Sequence, residues 1–203
     1  MKSVITENRE KYLERREFYK SFGYDIEAER RFILEKSLLV HENILEVGTG
    51  KGYFAVELAK KGYKLTSIDI SVEDQKIAVL NAEYHKLEKQ IEFRIENAER
   101  LSFPNESFNT VFSVNSVHHM DNAFLIIDEM LRVISLKGKI IISDFSKEGM
   151  ELIDKIHASE GKKHEVGKTS LADISGYLSN KSFKIEKYRS EFQEVLVARN
   201  NKT

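Results

Sequence analysis

The sequence predicts an α/β fold, a doubly wound and mostly parallel β-sheet with helices on both faces. Three observations carry that prediction. Short β-like apolar runs alternate with helical patterns through the middle of the 203-residue chain. One of these runs, "GKIIISD" (138–144), is almost continuously apolar, as a strand covered on both sides must be. Finally, "FKIEKYR" and "FQEVLVAR" lie near the end with a very short link, enough for a hairpin but not for a crossover helix. That last pair is therefore expected to be antiparallel.

The elements follow in order. Residues 1–38 are charged and helical in pattern. "NILEV" (43–47) reads as a strand, and the helix after it, 53–61, can be stopped by Gly62. "KLTSID" (64–69) is the next strand. Ser71 opens a helix with Asp74 at capping-box spacing, and Ile77, Leu80, Tyr84 and Leu87 share one face. "IEFRI" (91–95) and, past a turn at Pro104, "TVFSV" (110–114) are further strands. Phe124, Ile127, Leu131 and Ile134 then fall on one helical face, ahead of strand 138–144. A helix then a polar stretch occupy 145–170, and 171–178 is helical before the final hairpin. The whole reads as a single domain. Both 1–38 and 145–170 are candidates to pack over the carboxyl ends of the strands, where ligands bind in such folds.

Composition removes several classes of function. The chain is 41% hydrophobic and 32% charged, with a formal net charge of -1, so no global field favours nucleic acid or anionic lipid. It has no cysteine, which excludes disulfides, thiolate metal sites and a cysteine nucleophile. The first residues lack the apolar block of a signal peptide, and no run approaches the roughly 18–20 apolar residues of a membrane span. A cytoplasmic protein without nucleic-acid or membrane partners is the expectation; the oligomeric state is not legible.

The chemistry concentrates in "ILEVGTGKGYF" (44–54). Glycines at 48, 50 and 52 stand directly behind a strand in a chain with only ten glycines. They permit positive φ and remove the Cβ that would keep a ligand off the backbone. The helix that follows offers free N–H groups to an anion, which suits a pyrophosphate or an amino-acid carboxylate equally. Spacing separates the two. In a G-x-G-x-x-G fingerprint the third glycine would fall at Tyr53, and a phosphate loop of the G-x-x-x-x-G-K-[ST] kind fails at the same position. A nicotinamide oxidoreductase is disfavoured for that reason.

"LEVGTGKG", with Glu46 before the loop, resembles the first motif of the class I S-adenosylmethionine-dependent methyltransferases. The nearest branch is the small-molecule one that includes the ubiquinone and menaquinone biosynthesis type. The resemblance covers residues 43–144 closely and the final hairpin in outline. It implies a Rossmann-like, doubly wound, seven-stranded sheet with an antiparallel C-terminal strand. It implies S-adenosyl-L-methionine as cofactor, with Glu46, Gly48, Thr49 and Gly50 on its methionine side. Asp69 and Ile70 would lie on the ribose side, Asn97 and Ala98 at the adenine, and Asn115 near the methyl. Asn97-Ala98 stands where the family has Asp-Ala, "FNTV" replaces a Phe-Asp pair at an expected turn, and Lys137-Gly138 stands where a Pro-Gly-Gly turn is common.

On this resemblance residues 1–38 become a helical lid, 39–144 the cofactor-binding core and 145–170 a candidate substrate-side insertion. Residues 171–203 supply the terminal helix and hairpin. The aromatic cluster "FYKSFGY" (18–24) reads either as core filler for the N-terminal helices or, through Tyr19, Phe22 or Tyr24, as a lid that closes the cofactor pocket. His118 and His119 follow the fourth strand, and His119 is the candidate general base, since histidine titrates in the useful range. His157 and His164 are seven apart, which suits no helical pair of ligands, so no metal is expected. The partner is a small-molecule methyl acceptor of unreadable identity; "SVNSVHH" lacks the Asn/Asp-Pro-Pro-Tyr pattern of adenine- or glutamine-methylating enzymes. A cofactor-binding regulatory module without chemistry is the alternative.

Overall fold

Period-two alternation divides the apolar strands between two cores, one on each face of a single sheet. The computed structural model describes residues 2–38, 43–163 and 167–200. Seven strands run in the order β3-β2-β1-β4-β5-β7-β6. They are β1 (Ile44–Val47), β2 (Leu65–Asp69), β3 (Ile91–Ile95), β4 (Phe108–Val114), β5 (Ile134–Phe145), β6 (Phe183–Arg189) and β7 (Gln193–Asn200). The first five pair in parallel, while β7 enters between β5 and β6 and is antiparallel to both. The hairpin expected from its short link thus places its second strand inside the sheet.

Ile140 and Ile142 join Leu45, Val47 and Ile127 in one core, whereas Ile141 joins Ile44, Phe112 and Val197 in the other. All three isoleucines are wholly buried. Each contributes about 1.5–3 kcal/mol by leaving water, so the "GKIIISD" run anchors both faces at once. The first core is closed by α5 (Ala123–Val133) and α7 (Leu171–Asn180), the second by α2 (Ile26–Ser37), α3 (Tyr53–Lys60) and α4 (Val72–Tyr84).

Several local expectations are corrected. β5 runs unbroken from Ile134, so Lys137-Gly138 is strand rather than turn, and Phe108-Asn109 begins β4 instead of forming a turn. Ile134 accordingly leaves the helical face assigned to it. On α5 the buried set is Ala123, Ile126, Ile127, Met130 and Val133, while Phe124 is exposed. On α4 it is Gln75, Ala78, Asn81 and Ala82, with Tyr84 exposed and Leu87 beyond the helix. The reason is close approach: a Cβ on Gly52 would sit 2.6 Å from Ala78 Cβ, so the seam takes small and amide side chains.

The N-terminal helices are tied down at both ends. From α1 (Val4–Ser21), Asn8 donates to Asn81 Oδ1 at 2.9 Å, and Asn81 donates to the Lys51 carbonyl at 2.8 Å. Buried Lys139 on β5 donates to the Ser37 carbonyl at 2.6 Å and also to that of Leu38, satisfying the end of α2. A third cluster joins Tyr19 of α1 and Tyr24 to Ile153 and Ile156 of α6 (Lys147–Ser159). His164 and the adjoining residues of "EGKKHEVGK", like 39–42 and 201–203, lie outside the described residues. Among the described residues no helix is long and apolar enough to cross a membrane.

Candidate active site

The glycine loop leaves β1 and turns under the end of β2. The N–H groups of Gly48 and Thr49 both donate to the Ile68 carbonyl, at 2.9 and 3.0 Å. Gly48 (φ 88) presses on the segment just after β4, since a Cβ there would lie 2.9 Å from the Ser116 side chain. Gly50 (φ 49) would meet nothing within 4 Å: its backbone is bare on that side. Gly52 (φ 73) serves the α3–α4 seam. The three glycines therefore do three different things, and only Gly50 leaves room for a ligand.

Asp69, at the end of β2, ties the loops together. Its Oδ2 accepts the Gly50 N–H at 2.7 Å and its Oδ1 the Ser71 N–H at 2.8 Å. A carboxylate has about four lone-pair sites, so both oxygens retain acceptor capacity. Beneath the loop, Glu46 is completely buried. The Ser67 hydroxyl donates to its Oε2 at 2.5 Å, and Thr49 Oγ1 lies 2.6 Å from Ser67 Oγ. Desolvation dominates there and pushes the Glu46 carboxyl up to about 8, against the Ser67 bond.

A cavity of about 470 Å³ opens in front of this loop at the carboxyl ends of β1, β2 and β4. Gly48, Thr49, Gly50, Asp69, Ile70 and Asn115 line it, with Asn97, Ala98 and His119 on the opposite side; Glu46 stands behind the wall. The sequence reading missed Asp74, Glu96, Glu99 and Asp121, which also line it. Glu96 and Glu99, flanking Asn97-Ala98, carried a local signal. With Asp69 they make five carboxylates, and among the described residues no lysine or arginine lines the cavity. Exposed Ile70 offers an apolar surface at the rim. Asn97 Oδ1 accepts the Glu99 N–H at 2.9 Å, so this side chain shapes its own turn.

These features fit S-adenosylmethionine and not a dinucleotide. The acid-lined wall complements a cationic sulfonium and an ammonium group but repels a pyrophosphate. The bare Gly50 backbone and the carboxylate of Asp69 suit a ligand that carries adjacent hydroxyl donors.

A second cavity, about 180 Å³, lies between the sheet and the N-terminal helices. Tyr12, Arg15, Tyr19, Tyr24, Arg30 and Tyr53 supply much of its wall. Tyr24 is 3% exposed and accepts from Gln193 Nε2 at 3.1 Å. Burial raises the pKa of all four tyrosines, which keeps them neutral. Phe22 is partly exposed and packs on Phe18. Tyr12, Arg15, Arg16 and Tyr19 follow helical spacing along α1, a signal present in the sequence and not used.

Asn115 belongs to both cavities. It sits in the left-handed region (φ 51), and its N–H donates to the Ser143 carbonyl at 2.8 Å. Its side-chain Oδ1 is buried without a hydrogen-bond partner. An orphaned buried acceptor of this kind costs about 1–3 kcal/mol; at a junction between two cavities it is a natural recipient for a ligand's donor.

The two histidines part company. His118 is buried: Nδ1 lies 2.5 Å from Asp144 Oδ1, its N–H donates to Asp144 Oδ2 at 2.9 Å, and its ring packs on Phe145. His119 is exposed, lines the larger cavity and stacks on His118 with centroids 4.0 Å apart. His118 thus lies off the wall of the larger cavity, against His119, and is not on the substrate side where it was expected.

Sheet order and glycine loop together are those of the class I S-adenosylmethionine-dependent methyltransferase fold. Residues 45–142 match the family model described as a methyltransferase domain. Among curated proteins, 27-O-demethylrifamycin SV methyltransferase of Amycolatopsis mediterranei is 26% identical over 66% of this chain and 49% of its own length. The 2-methyl-6-phytyl-1,4-hydroquinone methyltransferase of Synechocystis is 33% identical over 51% of this chain and 32% of its own. The ubiquinone/menaquinone biosynthesis C-methyltransferase of Rickettsia massiliae is 33% identical over 53% and 46%. The chain thus spans about half or less of the length of these relatives. Among solved structures, a SAM dependent methyltransferase from Aquifex aeolicus shares the fold with a TM-score of 0.65 at 17% identity, covering 83% of this chain and 88% of that one. The [4+2]-cyclase SpnF shares it at 0.70 and 16%, covering 87% and 82%. The fold therefore does not itself dictate the reaction.

Proposed function

We propose that this chain transfers a methyl group from S-adenosylmethionine to a small-molecule acceptor. The observation that carries the reading is the acid-lined cavity beside the bare Gly50 backbone. The names of the curated relatives, all small-molecule methyltransferases, point the same way. Gly48, Thr49 and Gly50 would hold the methionine side, Asp69 and Ile70 the ribose, and Asn97 with Ala98 the adenine. When bound, the cofactor supplies a methyl on a sulfonium, already an activated electrophile.

The chain's own task is then alignment and exclusion of water. Residues 1–38 act as a lid that walls off the smaller cavity, with Tyr19 and Tyr24 closing it. Asn115 stands where the two cavities meet and orients whatever enters from either side. His119, on the cavity wall, is the group placed to take an acceptor's proton. Asp144 and His118 hold it from behind through the ring stack.

Calorimetric titration with S-adenosylhomocysteine and with NADH, on wild type and Asp69→Ala, tests the reading. Micromolar binding of the first alone, weakened in the variant, is the expected result. Binding of NADH alone overturns it. Methyl transfer to an acceptor panel then separates an enzyme from a cofactor-binding regulatory module.

A further inference from the structure

The two cavities that share Asn115 have opposite electrical character. The larger is lined by five carboxylates and the smaller by three arginines, Arg15, Arg16 and Arg30, against one glutamate, Glu29. Two of those arginines have partners elsewhere. Arg16 is paired with Glu17 and Glu27, and Arg15 lies 3.5 Å from Glu160 while donating to the Tyr19 hydroxyl at 2.5 Å. Arg30 forms no ion pair among the described residues. It donates only a long bond, 3.3 Å, to the Tyr12 hydroxyl and stacks 4.7 Å over the Tyr53 ring. Glu29, the one carboxylate on the cavity wall, already accepts from the Ser190 hydroxyl at 2.5 Å, and burial raises its pKa; Glu27, off the wall, accepts from the Tyr12 hydroxyl at 3.1 Å and feels the Arg30 charge.

A guanidinium held in place by ring stacking, with its donor fork unmatched and phenols around it, is a receptor for a planar anion. Size and shape narrow the ligand further. A closed cavity of about 150 Å³ holds one benzene, so 180 Å³ admits a single six-membered ring with one or two small substituents. The walls are mainly aromatic: Tyr12 packs on Tyr53 with ring centroids 4.8 Å apart, Tyr19 on Tyr24 at 6.0 Å, and Tyr24 on Phe145 at 6.2 Å. Aromatic side chains from several segments with a cation among them favour an aromatic ring over an aliphatic chain.

We propose that the methyl acceptor is a single-ring aromatic anion, seated under the N-terminal helices with its anionic group on Arg30 and its reacting edge toward Asn115. This rests on the methyltransferase reading for the word acceptor, but the anion site stands on the smaller cavity alone. The division of charge assigns a cation to one chamber and an anion to the other, so that attraction between the two ligands adds to the affinity of each.

The test uses benzoate, benzamide and acetate as probes, titrated calorimetrically into the full chain with and without saturating S-adenosylhomocysteine. Methyl NMR of Ile26 and Ile33, which line the cavity, reports the location. Benzoate should bind about tenfold or more tighter than its neutral isostere benzamide, the scale of one charge-assisted bond. It should also bind tighter than acetate, and shift both isoleucines. Arg30→Gln should bring benzoate and benzamide to parity while leaving S-adenosylhomocysteine affinity within about twofold; Arg30→Lys should restore part of the preference. Equal binding of benzoate and benzamide by wild type, an unchanged preference in Arg30→Gln, acetate matching benzoate, or no benzoate binding each overturns the proposal. Loss of S-adenosylhomocysteine binding in wild type overturns the methyltransferase reading instead, and the titrations without it still decide the anion site.

Discussion

Asp69 and Gly50 are joined by one bond, Asp69 Oδ2 accepting the Gly50 N–H at 2.7 Å. With the matching bond from the Ser71 N–H, the carboxylate sets the distance between two loops while keeping lone pairs for a ligand. Asp69→Ala removes both acceptors and should weaken S-adenosylhomocysteine at least tenfold, at a cost of about 1–3 kcal/mol in stability. Asp69→Asn keeps one oxygen, so it should lie between wild type and alanine in both calorimetry and thermal unfolding. Wild-type affinity in Asp69→Ala sinks the role.

The glycines separate fold from binding. Gly50→Ala places its Cβ in open space and carries only the left-handed penalty of about 1–2 kcal/mol. It should unfold only a few degrees lower, yet bind S-adenosylhomocysteine far more weakly. Gly52→Ala drives a Cβ to 2.6 Å from Ala78 and 2.9 Å from its backbone. A drop of about 3 kcal/mol or more is expected, partly relieved by Ala78→Gly. Equal unfolding midpoints for the two variants contradict this division of labour.

Glu46 should write a pH dependence into stability. Its carboxyl titrates near 8 when folded and near its ordinary 4.5 when unfolded. The folded state therefore holds this proton more tightly, and the Glu46 contribution is fully present below about pH 4.5 and lost as pH rises through 8. Glu46→Gln keeps the shape without the ionisation. Unfolding free energies from urea titrations between about pH 5 and pH 9 should fall by a few kcal/mol less in the variant. A parallel fall in both proteins would show that Glu46 is ionised throughout.

The histidine pair predicts two different failures. His119→Ala, on the cavity wall, should reduce turnover while leaving cofactor affinity and unfolding temperature close to wild type. Asp144→Ala strips acceptors from the His118 N–H, the His118 ring and the Phe145 N–H, all buried or half-buried. A stability loss of about 2–4 kcal/mol should follow, with turnover lost as a consequence. Unchanged turnover in His119→Ala would falsify its role as base.

How much was legible follows from how local each signal is. The "VGTGKG" loop, Asp69 at the end of its strand and the continuous "GKIIISD" run stand in the chain as they stand in space, and the sheet followed from them. Helical faces were less legible. On α4 the close approach of Gly52 to Ala78 outranks hydrophobicity, so Gln75 and Asn81 are buried while Tyr84 is exposed. The turn expected at Lys137-Gly138 failed because β5 continues its pairing with β4 back to Phe108.

By itself, then, the sequence determined the doubly wound sheet, the antiparallel hairpin and the glycine loop that lines the larger cavity. These depend on strand period, glycine φ and link length, all properties of neighbouring residues. Only tertiary structure decided which side chains share a chamber. His118 and His119 are adjacent in the chain, yet one is buried on Asp144 and the other faces the cavity. Arg30, Tyr53, Asn115 and Gln193 come from four separate segments to wall one small space, and the charge of that space exists only once the chain has closed around it.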